Sequence, residues 1–278
     1  MPTIALMTDF GIRDGNVGVM KGVIWGICPD AQIADVSHLV GPQDVREAAL
    51  ILARSAPYFP TGTIQLVVVD PGVGTTRRPM AAQMGDAYFV GPDNGVITLW
   101  LRQARALGQH AAFVHLDRPA FWLQTVSRVF HGRDLFAPAA AHLACGVPLS
   151  DLGSALDDPV ELSFPEPRLS HDRWEGEVIY VDHFGNVASN IMAEDLGVAL
   201  DRKRLIDVEI RDTRIKGMVD AFGDREAGDL IALLGSTGNL IVSVVNGSAS
   251  SKLGARLGDP VIAYVGAAME ARRQGSIK

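Results

Sequence analysis

Through its first half the chain alternates short apolar runs with stretches whose apolar residues recur at helical spacing, and few folds satisfy that alternation. Residues 3–7, 32–36, 63–69, 87–90 and 112–115 predict strands, and 17–27, 43–56, 94–106 and 133–144 predict helices between them. The segment QDVREAALILARSA puts Val45, Ala48, Ala49, Leu52 and Ala53 on one stripe and stops before Pro57, as a helix packed on a sheet does. The expectation is an α/β N-terminal domain, residues 1–156, with a mainly parallel sheet sandwiched by helices.

Pro159, Pro165 and Pro167 among alternating charges then disfavour a helix and mark 157–173 as a linker. Beyond it the pattern changes to short strand-like runs such as EVIYV, LIALL and NLIVSVV, separated by Gly, Asp and Asn. Residues 174–278 therefore predict a smaller all-β, barrel-like C-terminal domain. The tail MEARRQGSIK is expected to fray.

With 47% hydrophobic and 21% charged residues, the 278-residue chain can bury large cores, which excludes intrinsic disorder. A formal charge of -7, with acids and bases interspersed, lacks the footprint of a nucleic-acid binder or of a binder of anionic membranes. A small molecule is the expected partner. Neither a cleavable leader nor a bilayer-spanning run is read in the sequence, so a soluble, cytoplasmic protein is expected. Cys28 and Cys145 lie in apolar surroundings without a CxxC or a histidine cluster, and are expected as buried free thiols with no metal.

In a sheet of this kind ligands sit beyond the carboxyl ends of the strands. Asp9 ends the first strand in TDFGIRDGN, and Asp70 ends the strongest apolar run in IQLVVVDPGVGTTRR. A strand-end aspartate is commonly only a cap or turn former. Here the glycines after Asp70 allow close backbone approach and Arg77 follows, a set suited to orienting a water or hydroxyl. Neither stretch is a phosphate loop or a GxGxxG. His131 stands beside Gly132 at a helix entrance in FHGRDLF, either as a solvated cap or as a neutral hydrogen-bonding group in a cleft. The other histidines lack such a setting. In the C-terminal half DHFGNV and GSTGNLIVSVVNGSAS combine an aromatic ring, asparagines and turn amides, which hold a purine well but also form ordinary turns.

Taken together and in order, TDFGIRDGNVGVMKGVI, VVVDPGVGTTRR, GPDNGV, FHGRDLFAPAAAHLA, DHFGNVASNI and the stretch from GSTGNL to NGSAS resemble the S-adenosylmethionine hydroxide adenosyltransferases, relatives of the fluorinase and chlorinase. The resemblance covers nearly the whole chain. It implies hydrolysis of S-adenosylmethionine to adenosine and L-methionine without a cofactor, in a homotrimer with active sites between subunits. It also implies catalytic roles for Asp70, Arg77 and His131, with the choice of formal base between Asp70 and His131 left open. Asp9 would hold the ribose, Asp14 and Asn16 the methionine end, and Asp182, Phe184, Asn186 and Ser236 the nucleoside and methionine, with Asn246 in the adenine loop. Gln43 departs from an aromatic family position, and the spacing from Gly238 to Asn246 is slightly longer than the family's, which leaves the register of Asn246 open. The halogenases carry tyrosines at the positions of Asp70 and His131 and a serine at that of Gly132. A halogenase and a non-catalytic adenosine or S-adenosylmethionine binder are the competing expectations.

Overall fold

The computed structural model describes residues 2–268 and 270, so the fraying expected of the tail MEARRQGSIK lies, Glu270 apart, outside the described residues. The chain divides into two compact units, residues 1–162 and 163–278. In the first unit the elements run β1 (Thr3–Thr8), α1 (Asn16–Ile27), β2 (Gln32–Ser37), α2 (Val45–Ser55), β3 (Ile64–Val68), β4 (Pro79–Met84), β5 (Ala87–Pro92), α3 (Thr98–Ala106), β6 (Ala111–His115), α4 (Ala137–Ala144) and β7 (Ser154–Ala155).

These strands form one sheet in the order β2-β1-β3-β5-β4-β6-β7. The expectation of a mainly parallel sheet needs correction. β2, β1, β3 and β5 pair parallel, but β5–β4, β4–β6 and β6–β7 pair antiparallel, so the sheet is mixed. The reason is β4, a strand that the apolar pattern does not predict. Only Gly85 and Asp86 separate it from β5, and Gly85 takes φ +56. A connection that short makes a hairpin, whereas a parallel pair needs a crossover of about a dozen residues or more.

Alternate residues of the central strands enter two apolar clusters. Ile4, Leu6, Ile64, Leu66 and Val68 pack with Met20 and Ile24 of α1 and with Ala137, Ala140 and Ala141 of α4. Met7, Val67 and Val69 pack with Ala48 and Leu52 of α2 and with Trp100 and Leu101 of α3. Asp44 caps α2 by accepting the Glu47 N–H at 2.8 Å. Cys28 and Cys145 cap the carboxyl ends of α1 and α4, which pack on the same side, and form a disulfide with their Cα atoms 5.8 Å apart. The expectation of free thiols is thereby overturned: Cys28 is buried, Cys145 reaches the surface, and helix packing brings together two residues distant in sequence.

The second unit contains β8 (Arg168–Ser170), β9 (Arg173–Val181), β10 (Val187–Met192), β11 (Asp207–Ile210), β12 (Thr213–Ile215), β13 (Leu230–Leu234), β14 (Asn239–Val244) and β15 (Pro260–Tyr264). They form an antiparallel sheet in the order β12-β11-β15-β9-β10-β14-β13, with β8 added on β9. The outer strands approach one another, and Val219 just after β12 donates its N–H to Ala232 of β13 at 2.9 Å, so the sheet is nearly closed and barrel-like. Val178, Ile191, Val208, Leu240, Val242 and Val261 fill its interior.

Candidate active site

Thr8 pairs with Val68 across β1 and β3, and Leu66 pairs with Val90 across β3 and β5. Asp9, Asp70 and Asp93 thus leave three adjacent parallel strands at the same edge of the sheet. Asp9 accepts the backbone N–H of Gln43 at 2.8 Å, and Gln43 itself takes φ +65. Ile12 to Asn16, including Asp14 and Asn16, are exposed.

Asp70 opens a loop of turns that closes at Arg77. Arg77 Nε donates to Asp70 Oδ1 at 3.0 Å and Nη2 donates to Oδ2, a bidentate pair with only 7% and 5% of the side chains exposed. Nη2 also lies 3.0 Å from His131 Nδ1. A guanidinium has no acceptor, so His131 Nδ1 accepts, and a neutral ring then carries its proton on Nε2. Burial, with the Arg77 charge beside it, holds the His131 pKa below its ordinary value of 6.5. Burial raises the Asp70 pKa above 3.8, against the opposing pull of Arg77. Arg77 lies over the Phe136 ring, 5.3 Å from its centroid, and its Nη1 is buried with no hydrogen-bond partner among the described residues.

Two glycines explain why these groups meet. Gly74 takes φ +76, and a Cβ there would stand 2.4 Å from the Arg128 carbonyl oxygen, so only glycine lets the Asp70 loop close on the segment carrying His131. Gly132 opens a π-helical turn, Gly132–Phe136, that leads into α4. A Cβ on Gly132 would lie 3.2 Å from Met20 Sδ and 3.3 Å from ring carbons of Phe10 and Phe130.

In the second unit Asp182, Phe184 and Asn186 share the turn between β9 and β10. Asp182 accepts the N–H groups of Phe184 and Asn186 at 2.9 and 2.8 Å and the Asn186 side-chain amide at 2.7 Å. The Phe184 ring takes no part in these bonds, and the residue is 73% exposed. Val187 pairs with Val242, which puts this turn at the same end as Asn246, whose φ is +55. Ser248 and Ser250 reach the turn as well, because a Cβ on Gly185 would meet the hydroxyl oxygens of both. Neither serine was singled out in the sequence; the close-approach glycine of FGN is the signal that finds them. Ser236, in contrast, lies before β14 while Asn246 lies after it. That six-residue strand holds them roughly 20 Å apart, and Ser236 does not join the turn.

Residues 4–153 match the family model described as SAM hydroxide adenosyltransferase N-terminal domain, and residues 176–262 match its C-terminal domain. This chain belongs to the SAM hydroxide adenosyltransferase family. It is 42% identical to a protein of Salinispora tropica named (R)-S-adenosyl-L-methionine hydrolase, over 93% of this chain and 96% of that one. A fluorinase of Nocardia brasiliensis is more distant, at 30% identity over 87% and 90%. A Thermotoga maritima crystal structure, titled only as an uncharacterized conserved protein, superposes with a TM-score of 0.88 at 37% identity, covering 94% and 99%. Among the described residues of this family member no helix is long and apolar enough to cross a membrane, and no three His, Cys, Asp or Glu side chains converge as metal ligands.

Proposed function

We propose that this chain hydrolyses S-adenosylmethionine to adenosine and L-methionine by attack of a water, activated at Asp70, Arg77 and His131, on C5′. The observation that carries this is the buried Asp70–Arg77–His131 network at the carboxyl edge of the sheet. The substrate's sulfonium already departs as a neutral thioether, so methionine needs no general acid and the reaction needs no cofactor. What it needs is an oxygen nucleophile held in line and free of bulk water. Arg77 keeps Asp70 ionised to take the water proton, and Arg77 Nη1 has a donor left for the developing hydroxide. His131, with Nδ1 occupied by Arg77, has an N–H to offer at Nε2 rather than a base, so Asp70 is the proton acceptor.

Asp9 then holds the ribose hydroxyls, Asp14 and Asn16 the methionine end, and Asp182, Phe184, Asn186 and Asn246 the nucleoside. The exposure of Phe184 and of the Asp14 loop supports completion of each site across subunits of a homotrimer. Ser236 is left out. A halogenase would use the same substrate with halide as nucleophile; a serine Cβ at position 132 would be crowded by Met20, Phe10 and Phe130, which favours water. Turnover in water enriched in heavy oxygen tests the proposal, with label expected in the adenosine 5′ hydroxyl. Formation of 5′-halo-5′-deoxyadenosine in chloride or fluoride would overturn it, and so would the absence of any single-turnover chemistry.

A further inference from the structure

The GPDNG segment, residues 91–95, carries β5 out of the sheet. Its Asp93 and Asn94 leave β5 at the edge where Val69 and Asp70 leave β3. Asn94 Nδ2 donates to the Val69 carbonyl at 2.9 Å, and Asn94 Oδ1 accepts the Val96 N–H at 3.2 Å, so both ends of the side-chain amide are fixed. The Asp93 N–H donates to the Arg78 carbonyl at 2.9 Å. The fully buried Asp93 carboxylate accepts Arg78 Nε at 2.9 Å and Nη2 at 2.6 Å, together with the Val160 N–H at 2.7 Å. Arg78 reaches on to Asp158 Oδ1, and to the Asp158 carbonyl, at 2.7 Å each.

Val69 and Arg78 are the residues immediately before Asp70 and immediately after Arg77. Two consecutive side chains on a neighbouring strand end therefore grip both ends of the loop whose termini are the reacting pair. The ion pair between Asp70 and Arg77 fixes these two groups relative to each other, and the Arg77–His131 hydrogen bond ties them to the ring; Pro71, Gly72 and Gly74 lie between them, and neither contact sets the place of the pair against the sheet. A misplacement of about 1 Å in such a constellation costs on the order of 100-fold in rate.

We infer that Asp93 and Asn94 are positioning residues that hold Asp70 and Arg77 in register with His131, an inference that rests on these three groups performing the proposed hydrolysis. Asn94 acts through the backbone carbonyl that precedes Asp70. Asp93 acts through both the backbone and the guanidinium that follow Arg77, and couples them to residues 158–160.

The test compares wild-type protein with Asn94→Ala, Asn94→Gln and Asp93→Asn, measuring kcat and KM for S-adenosylmethionine and following the His131 ring through its titration by NMR. In Asn94→Ala kcat is expected to fall about 10- to 100-fold with KM within about twofold, and the His131 titration to move up toward 6.5 as the guanidinium shifts. Asn94→Gln, which keeps the donor, should recover part of both. A folded Asn94→Ala with wild-type kcat and wild-type His131 titration overturns the inference, and so does a loss carried wholly by KM. Should Asn94→Ala and Asp93→Asn fail to fold, Asp158→Ala loosens the Arg78 end from a side chain that is 83% exposed, with a drop in kcat of about two- to fivefold expected; wild-type values there overturn it too. If the wild-type protein does not hydrolyse S-adenosylmethionine, the proposed function fails on its own, while the His131 titration still decides whether the clamp exists.

Discussion

Asp70, Arg77 and His131 reach one another by side chain, the last two across 54 residues of sequence, and the Asp70–Arg77 pair is almost wholly buried. Asp182 and Asn186 instead bond each other within one turn, and the aromatic ring between them faces solvent. Under the proposed hydrolysis the first cluster is the reacting set, and its own side-chain bonds order it. The second is an ordinary turn with Phe184 exposed and Asn246 and Ser248 nearby, which under the same proposal would contact the nucleoside. Groups that must react are held tightly and kept dry, whereas groups that only hold a nucleoside need shape and a few donors.

Removing the centre of the first cluster tests that contrast most severely. Asp70→Ala is expected to lower the turnover of S-adenosylmethionine by about 10²- to 10⁴-fold, measured as adenosine formed per enzyme by chromatography. Unchanged turnover would make the buried network structural and remove the distinction. The next effect is on stability. The Cys28–Cys145 disulfide ties the far ends of α1 and α4, and α4 continues the turn that begins at Gly132, so the first cluster stands on a cross-linked pair of helices. Reduction is expected to lower unfolding stability by about 2–4 kcal/mol. Thermal melts with and without reductant, alongside a thiol count in denaturant, check this; two free thiols in untreated protein would sink it.

Smaller effects separate binding from chemistry. Asp9→Ala should weaken adenosine binding by roughly 1.5–3 kcal/mol through lost ribose hydrogen bonds, read by calorimetric titration, and wild-type affinity would count against the role. The pH dependence follows from burial. His131 has its pKa lowered from 6.5, so the folded state favours the neutral ring. That contribution to stability is present above about pH 6.5 and is lost as pH falls from there through the folded value. Melts of wild type and His131→Gln between pH 8 and pH 5 should therefore converge toward the acid end; parallel curves would show a ring that is not held neutral.

Much of this was legible in the chain. The alternation of apolar runs and helical stripes located the strands and helices that carry Asp9, Asp70 and His131, because strand ends in a parallel arrangement are where side chains leave the core. β4 escaped because PMAAQM has neither β-branched residues nor alternation, and its place depends on the tight Gly85–Asp86 turn. The disulfide escaped because local surroundings say nothing about which helices will lie side by side. The clamp of Asp93 and Asn94 escaped for a similar reason: its bonds are to backbone carbonyls and to an arginine on other strand ends, and only the parallel register of β3 and β5 brings them into reach.

The smallest expected effect is the one that sharpens the contrast within the second unit. Ser236 and Asn246 bracket β14, and in sequence both sit in glycine-rich turns that look equally suited to a ligand. A strand is a rigid spacer, so residues at its two ends face different places however alike their turns are. Ser236 is exposed, and replacing such a side chain changes stability by no more than about 0.5 kcal/mol. Ser236→Ala should accordingly leave KM for S-adenosylmethionine and the melting temperature unchanged. Asn246→Ala, at the end shared with Phe184, should raise KM while leaving kcat nearly intact, because it removes contact without touching Asp70, Arg77 or His131. Steady-state kinetics of the two variants side by side decide the matter: a KM raised by Ser236→Ala and spared by Asn246→Ala would put the nucleoside at the opposite end of the barrel, away from the turn that presents Phe184.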